Sequence, residues 1–355
     1  MRRRRVNRDT KHILYSNMSG ELKSVLEDGP IEGEPLVSVC VITYNHGKYI
    51  RQCLDRILMQ KVNFPYEILI HDDASPDDTA DIIREYWEKY PTVIKPILQT
   101  ENQYSQGRSA SKFNYDRAKA KYIALCEGDD YWTDEGKLQM QVDFLEEHGE
   151  YIACVHRVTA INEFGDVDSR WLFGRYYNNK DFTIKDAENF LYTYGCAGHL
   201  SSLVYRNIFL TLSDSDRTEY YSCKCNGDTK LFLLLSGYAP IRRFDDAMSV
   251  YRHITTGGTS WSATKAKEIT VQNRIEWFTN LSKLSCLLFG TRLGYHRYKF
   301  HLLFWEILRY IKHPSKMTRE TVKYCYNSTR LHPGWIYYLM DEIKYFMQIN
   351  RWARK

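Results

Sequence analysis

Long apolar runs are missing: no stretch of about 18 apolar residues occurs, so nothing reads as a membrane-spanning helix. Arg2–Arg5 have no apolar stretch behind them, and the start does not read as a secretory signal. Paired cysteines are missing too. The nine cysteines are an odd, scattered set with no Cys-x-x-Cys pair, which signals neither a zinc site nor a disulfide framework. Cys223-Lys224-Cys225 is the one close pair and reads as a chance neighbourhood. Reduced thiols without an export signal point to the cytoplasm, and the sequons at Asn17, Asn280 and Asn327 are then chance matches. There is no internal repeat and no low-complexity segment. Disorder is excluded by what is present, since 43% hydrophobic and 14% aromatic residues can build a core.

The net charge of +5 hides an uneven distribution. Residues 1–12 carry six Lys/Arg against one Asp, and residues 265–355 carry 17 Lys/Arg against 6 Asp/Glu, which leaves the centre at −11. An acidic centre suits divalent cations. The basic ends suit an anionic surface such as membrane phospholipid, on the inner face of the membrane, or stand as solvated charge. Nucleic acid is excluded as a partner: the basic charge gathers on no recognition helix or stacking sheet, and the acidic centre repels a phosphate backbone.

Three segments follow from the patterning: a basic arm over 1–34, an α/β domain over 35–264, and a basic, aromatic-rich helical extension over 265–355. Within the domain, Leu36–Thr43 is a short β-branched run typical of a strand buried on both faces. A helix is expected at about 47–60 and a second strand at Glu67–His71. Ser75-Pro76-Asp77-Asp78 reads as a helix start with Ser75 as cap. Strands at Val93–Leu98, Lys121–Cys126 and Tyr151–His156 follow, with helices near 108–119 and 135–148. Strand–helix–strand repetition predicts a mostly parallel sheet wound with helices, which gathers ligands at the carboxyl ends of its strands.

The acids stand at those ends. Asp72-Asp73 follow the second strand, Glu127-Gly128-Asp129-Asp130 follow the fourth, and Asp228 precedes the apolar run Leu231–Leu235. Like charges this dense are costly without a cation or hydrogen-bond donors. Carboxylates two apart, such as Glu127 and Asp129, can converge on Mg²⁺ or Mn²⁺ whose other positions take phosphate oxygens. Asp134 reads better as a helix cap. Asp72 and Asp73 either accept hydrogen bonds from a base or ribose or lead into the turn at Ser75; Thr43-Tyr44-Asn45 beside them offers a ring to a base. Trp261 either fills the core or stacks on a sugar.

The segments PLVSVCVITYNHGKYI, EILIHDDASPDDT, AKYIALCEGDDYW and GDTKLFLLLSGYAPIRRFDDAMSVYRH resemble, in order and spacing, the family-2 glycosyltransferases of bacterial surface-polysaccharide synthesis. The resemblance covers about 35–261. It implies a GT-A fold and a nucleoside-diphosphate sugar donor, often UDP-linked. A glycan or lipid-linked acceptor, a divalent metal and inversion at the anomeric carbon are implied with it. Carried over, Thr43, Tyr44 and Asn45 line the donor's base pocket and Asp72 or Asp73 binds the base. Glu127 and Asp130 flank the donor, Asp129 is the metal-side acid, His253 is a metal-side histidine, and Asp228 is the general base. Three positions depart from the family: the first acid of the DxD-like motif is Glu127, which then touches ribose or water; Gly227 replaces an acid before Asp228; and His253 directly follows Arg252. A nucleotidyltransferase would show a Gly- and Arg-rich loop after the first strand, which TYNHGK is not. A family member that binds donor without transferring sugar differs only in turnover.

Overall fold

The computed structural model describes residues 33–168, 181–188, 196–254, 269–329, 335–340 and 343. Nearly all of the basic arm, Gly257-Gly258, Trp261 and the last residues of the extension lie outside these. In chain order the first elements are β1 (Val37–Thr43), α1 (Gly47–Leu58), β2 (Tyr66–Asp72), α2 (Thr79–Lys89), β3 (Ile94–Leu98), α3 (Lys112–Tyr115) and β4 (Tyr122–Glu127). Next come β5 (Tyr131–Trp132), α4 (Lys137–Glu147), β6 (Ala153–Ile161), β7 (Asp181–Phe182), α5 (Ile184–Glu188) and β8 (Val204–Arg206). The rest are α6 (Asp214–Ser222), α7 (Gly227–Tyr238), β9 (Ile241–Arg252), α8 (Val271–Phe289), α9 (His296–Lys312) and α10 (Lys316–Thr329).

The described strands form one nine-stranded sheet in the order β3-β2-β1-β4-β8-β6-β9-β5, with β7 also paired to β9. Its first four strands are parallel, as the alternation of elements predicts. The other half is mixed: β8 runs antiparallel to both β4 and β6, β6 and β9 are parallel, and β5 and β7 are antiparallel to β9. The sheet is therefore partly, not mostly, parallel. The cause is β8, which has three residues, arrives from far along the chain and enters beside β4 in the opposite sense.

Alternate residues of the central strands point to opposite faces and build two cores. Val37, Val39, Val41, Ile68, Ile70, Tyr122 and Ala124 pack with α1, α2 and α4 on one face. Cys40, Leu69, Ile123 and Leu125 point to the other, which α7, α8 and α9 cover with Leu231–Leu235, Ile275, Phe278, Leu281, Tyr298 and Leu302. The C-terminal helices thus extend this core, with α8 packed on α6 and α7.

Two local expectations change. The helix after β2 begins at Thr79, with no side-chain cap, because Ser75 is engaged elsewhere: its hydroxyl donates to the Asp72 carboxylate and accepts from the Asn45 N–H at 2.8 Å. The expected helix at 108–119 is a single turn, Lys112–Tyr115, preceded by a 3₁₀ turn at Tyr104–Gln106. Asp134 does act near a helix start, accepting the Gly136 N–H at 2.7 Å just ahead of α4.

Candidate active site

Strand register sets the site. Thr43 lies opposite Asp72 and Ile42 opposite Glu127, so β1, β2 and β4 end together and deliver their loops to one edge. Asn45 and Ala74, in the loops after β1 and β2, both adopt positive φ, at 58° and 61°. This left-handed conformation is uncommon for non-glycine residues and is characteristic of sharp turns at binding sites. The two loops are strapped together. Besides the Asn45–Ser75 bond, the His46 N–H donates to Thr79 Oγ1 at 2.9 Å and the Gly47 N–H to Asp77 Oδ2 at 2.8 Å. A Cβ at Gly47 would lie 1.8 Å from Asp78 Oδ1, so any larger residue would have to displace the Asp78 carboxylate.

Asp72 and Asp73 both hold backbone. Asp72 accepts the Ser75 N–H at 3.2 Å, and burial raises its pKa, partly offset by the Ser75 bonds. Asp73 accepts the N–H groups of Gln103 and Tyr104, at 2.8 and 3.0 Å, and so fixes the loop after β3. Thr43 is buried, whereas Tyr44 is exposed at the end of β1.

The turn from β4 to β5 carries the acids. Gly128 is forced by space, since a Cβ there would lie 2.6 Å from Thr43 Oγ1. Asp130 is 0% exposed; its Oδ1 accepts the Arg252 N–H at 3.0 Å and its Oδ2 lies 3.5 Å from His199 Nδ1. Carboxylate oxygens of Glu127 and Asp130 and a ring nitrogen of His199 all lie within 4.8 Å of one another, a cluster that fits a divalent cation. Asp129 is outside that cluster, with Oδ2 3.7 Å from His46 Nε2. His253 is outside it as well, its Nδ1 3.4 Å from Asp168 Oδ2, and a series of rings runs from His199 to Tyr251 at 4.3 Å and from Tyr251 to His253 at 5.9 Å.

Electrostatics agree with a cation site. Burial, then the Asp129 and Asp228 carboxylates, push Glu127 up to about 8. Burial, then Asp129 and Glu127, push Asp130 well above the carboxylate range. Burial lowers His199 to about 4, which leaves its imidazole neutral, the form that binds metal. Thr43 Oγ1, His46 Nδ1 and Asp130 Oδ2 are buried around this turn without hydrogen-bond partners, a concentration that marks a place built for a ligand. Two carboxylates and an imidazole make a donor set suited to a divalent cation.

Asp228 lies in the first turn of α7, close enough to Glu127 to raise its pKa. Asn226, not Asp228, holds the N-cap position. A helix N-terminus alone would lower a carboxylate's pKa; here burial outweighs it and Asp228 is raised. Sequence reasoning missed His199, which lies alone in a stretch without motif, and His46, which stands inside TYNHGK. It also gave no role to Arg252, whose guanidinium sits 4.7 Å from the Tyr49 and Tyr131 rings and donates to the Asp129 carbonyl and to Gln52.

Residues 38–209 match the family description "Glycosyl transferase family 2". Through this segment the chain is similar to the family-2 glycosyltransferases. It is 40% identical over 170 residues to the uncharacterized protein Rv1520 of Mycobacterium tuberculosis, covering 48% of this chain and 46% of that one. The minor teichoic acid biosynthesis protein GgaB of Bacillus subtilis is 23% identical over 233 residues, 65% of this chain and 24% of its own length. The chain thus spans less than half the length of these relatives. The S. aureus TarS 1-349 structure with UDP-GlcNAc overlays 82% of this chain and 89% of its own at 16% identity with a TM-score of 0.49, too loose a likeness to say anything of the donor here.

Proposed function

We propose that the protein is a glycosyltransferase that moves a sugar from a nucleoside-diphosphate donor, a UDP-sugar, to a hydroxyl of a glycan or lipid-linked acceptor by a single inverting displacement. The observation that carries this reading is the convergence of Glu127, Asp130 and His199 at the end of β4, with Asp228 within electrostatic reach. Glu127, Asp130 and His199 would hold Mn²⁺ or Mg²⁺, which supplies neutralisation of the charge that collects on a leaving diphosphate. Thr43, Tyr44 and Asn45 line the base pocket. Asp72 and Asp73 flank it, each carboxylate oxygen retaining a lone pair for a base N–H beyond the loop bonds it already accepts. Asp129 stands in the turn facing His46, and His253 directly follows Arg252, whose N–H secures Asp130.

Asp228 takes the proton of the acceptor hydroxyl as the new bond to the anomeric carbon forms. Burial raises its proton affinity and makes it a better base than an exposed aspartate, so transfer falls as pH drops through its raised pKa. Asp228→Asn is expected to keep fold and donor affinity while transfer falls by orders of magnitude. A fully active variant, or a product with retained anomeric configuration, would refute the assignment. We also propose that the α9–α10 hairpin meets an anionic membrane surface. Its exposed Ile311 and Met317 stand beside Lys312, Lys316 and Arg319, the combination of apolar tip and cations that such surfaces attract.

A further inference from the structure

Cys223 and Cys225 occupy the short loop between α6 and α7, three residues before Asp228 in the case of Cys225. Both are half-buried, and their sulfurs lie 3.7 Å apart. The loop is braced from two sides. Lys230, in α7, donates to the Cys223 carbonyl at 3.3 Å with its amine 4.6 Å from the Tyr220 ring. Asn280, in α8, donates to the Lys224 carbonyl at 2.9 Å. This bracing keeps two thiols side by side at a surface that a small oxidant can reach. The same separation between Cys53 and Cys126, also 3.7 Å, is sealed in the core at 0% and 1% exposure. Cys286 is exposed but has no second thiol beside it among the described residues.

We propose that Cys223 and Cys225 are a redox-active dithiol, a modification site that a peroxide closes to a disulfide, and that closure displaces Asp228 and slows transfer. The first half stands on the loop geometry alone; the second rests on the function proposed above. The chemistry balances with one peroxide. The Cys223 sulfur attacks a peroxide oxygen, the O–O bond breaks, water leaves, and a sulfenic acid remains. The Cys225 sulfur then attacks that sulfur, the S–S bond forms, and the second water leaves, so two thiols and one peroxide give one disulfide and two waters. The order follows from the hydrogen bond between the thiols: the Cys225 thiol, with Lys230 nearby, holds Cys223 below the usual thiol range and is itself held above it. A disulfide requires the sulfurs to approach to about 2.05 Å. The pull acts on Asn226, the N-cap residue of α7, and through it on the first turn that carries Asp228.

The test treats the full chain with hydrogen peroxide, blocks remaining thiols with iodoacetamide, and reads the peptide holding both cysteines by mass spectrometry. Sugar transfer is followed in parallel. Expected are a loss of two hydrogens with no alkylation on that peptide, a fall in transfer of tenfold or more, and recovery with dithiothreitol. The Cys223→Ser/Cys225→Ser double variant, checked for an unchanged melting temperature, should keep its activity through the same treatment. If both thiols still alkylate at a peroxide level that oxidises Cys286, the dithiol proposal is overturned. A disulfide that forms with transfer unchanged, or a double variant that loses activity in the same reversible way, overturns the link to Asp228. If the untreated chain transfers no sugar, the proposed function fails, while the mass readout still decides the dithiol.

Discussion

Between Glu127 and Asp130 three carboxylates share one turn, and their surroundings separate them. Asp130 is sealed and faces His199, whereas Asp129 faces His46. The consequence is testable by Mn²⁺ titration: Asp130→Asn is expected to weaken Mn²⁺ at least tenfold, and Asp129→Asn by less. Equal losses would return Asp129 to the metal. Glu127 gives a pH signature. Its folded pKa of about 8 is raised above its unfolded value, so its contribution to stability is present at low pH and is lost as pH rises toward 8. Metal-free protein should therefore melt at lower temperature at pH 8 than at pH 6, with Mn²⁺ restoring the difference and Glu127→Gln flattening it. These acids were legible in the sequence because they follow directly on a buried strand. His199 was not, because a single histidine reaches the cluster only through the path of β8 and its preceding turn, which no local pattern announces.

At the level of elements, the parallel half of the sheet was legible because each strand is an apolar run followed by a helix. The mixed half was not, since strands of two or three residues carry no periodicity and depend on partners far along the chain. The start of α2 was misread for a related reason: Ser75 has the right neighbours for a cap, but Asp72 and Asn45 compete for its hydroxyl. Asp73 shows how much one side chain can organise. Its carboxylate fixes two successive N–H groups of the loop after β3 while 3% exposed. Asp73→Ala is expected to cost roughly 1–3 kcal/mol in denaturant unfolding, because it strands the buried Gln103 N–H and unties the Tyr104 N–H, and to weaken donor binding as the loop loosens. A stability change below about 0.5 kcal/mol would show that the loop holds itself.

For the whole molecule, the helices after residue 268 share one hydrophobic core with α7 and are not an appendage. A chain ending at residue 268 should expose the apolar residues of α7 and aggregate, as judged by light scattering, whereas a separately stable domain would remain monodisperse. The membrane proposal is tested by flotation with anionic and neutral vesicles. Binding should appear only with anionic lipid and disappear at high salt, and salt-insensitive or absent binding would remove electrostatics from the account. No described helix is long and apolar enough to cross a membrane.

The bond from the Arg252 N–H to Asp130 has a kinetic meaning. It joins residues 122 positions apart, and the Arg252 guanidinium reaches back 200 positions to Gln52. Contacts of such sequence separation form slowly, because long loops must close first. During synthesis, the acidic turn therefore emerges well before the strand that secures it. Capture of Mn²⁺ by the Glu127, Asp130 and His199 cluster is therefore expected only after β9 has docked, and refolding followed in the presence of Mn²⁺ would time that docking.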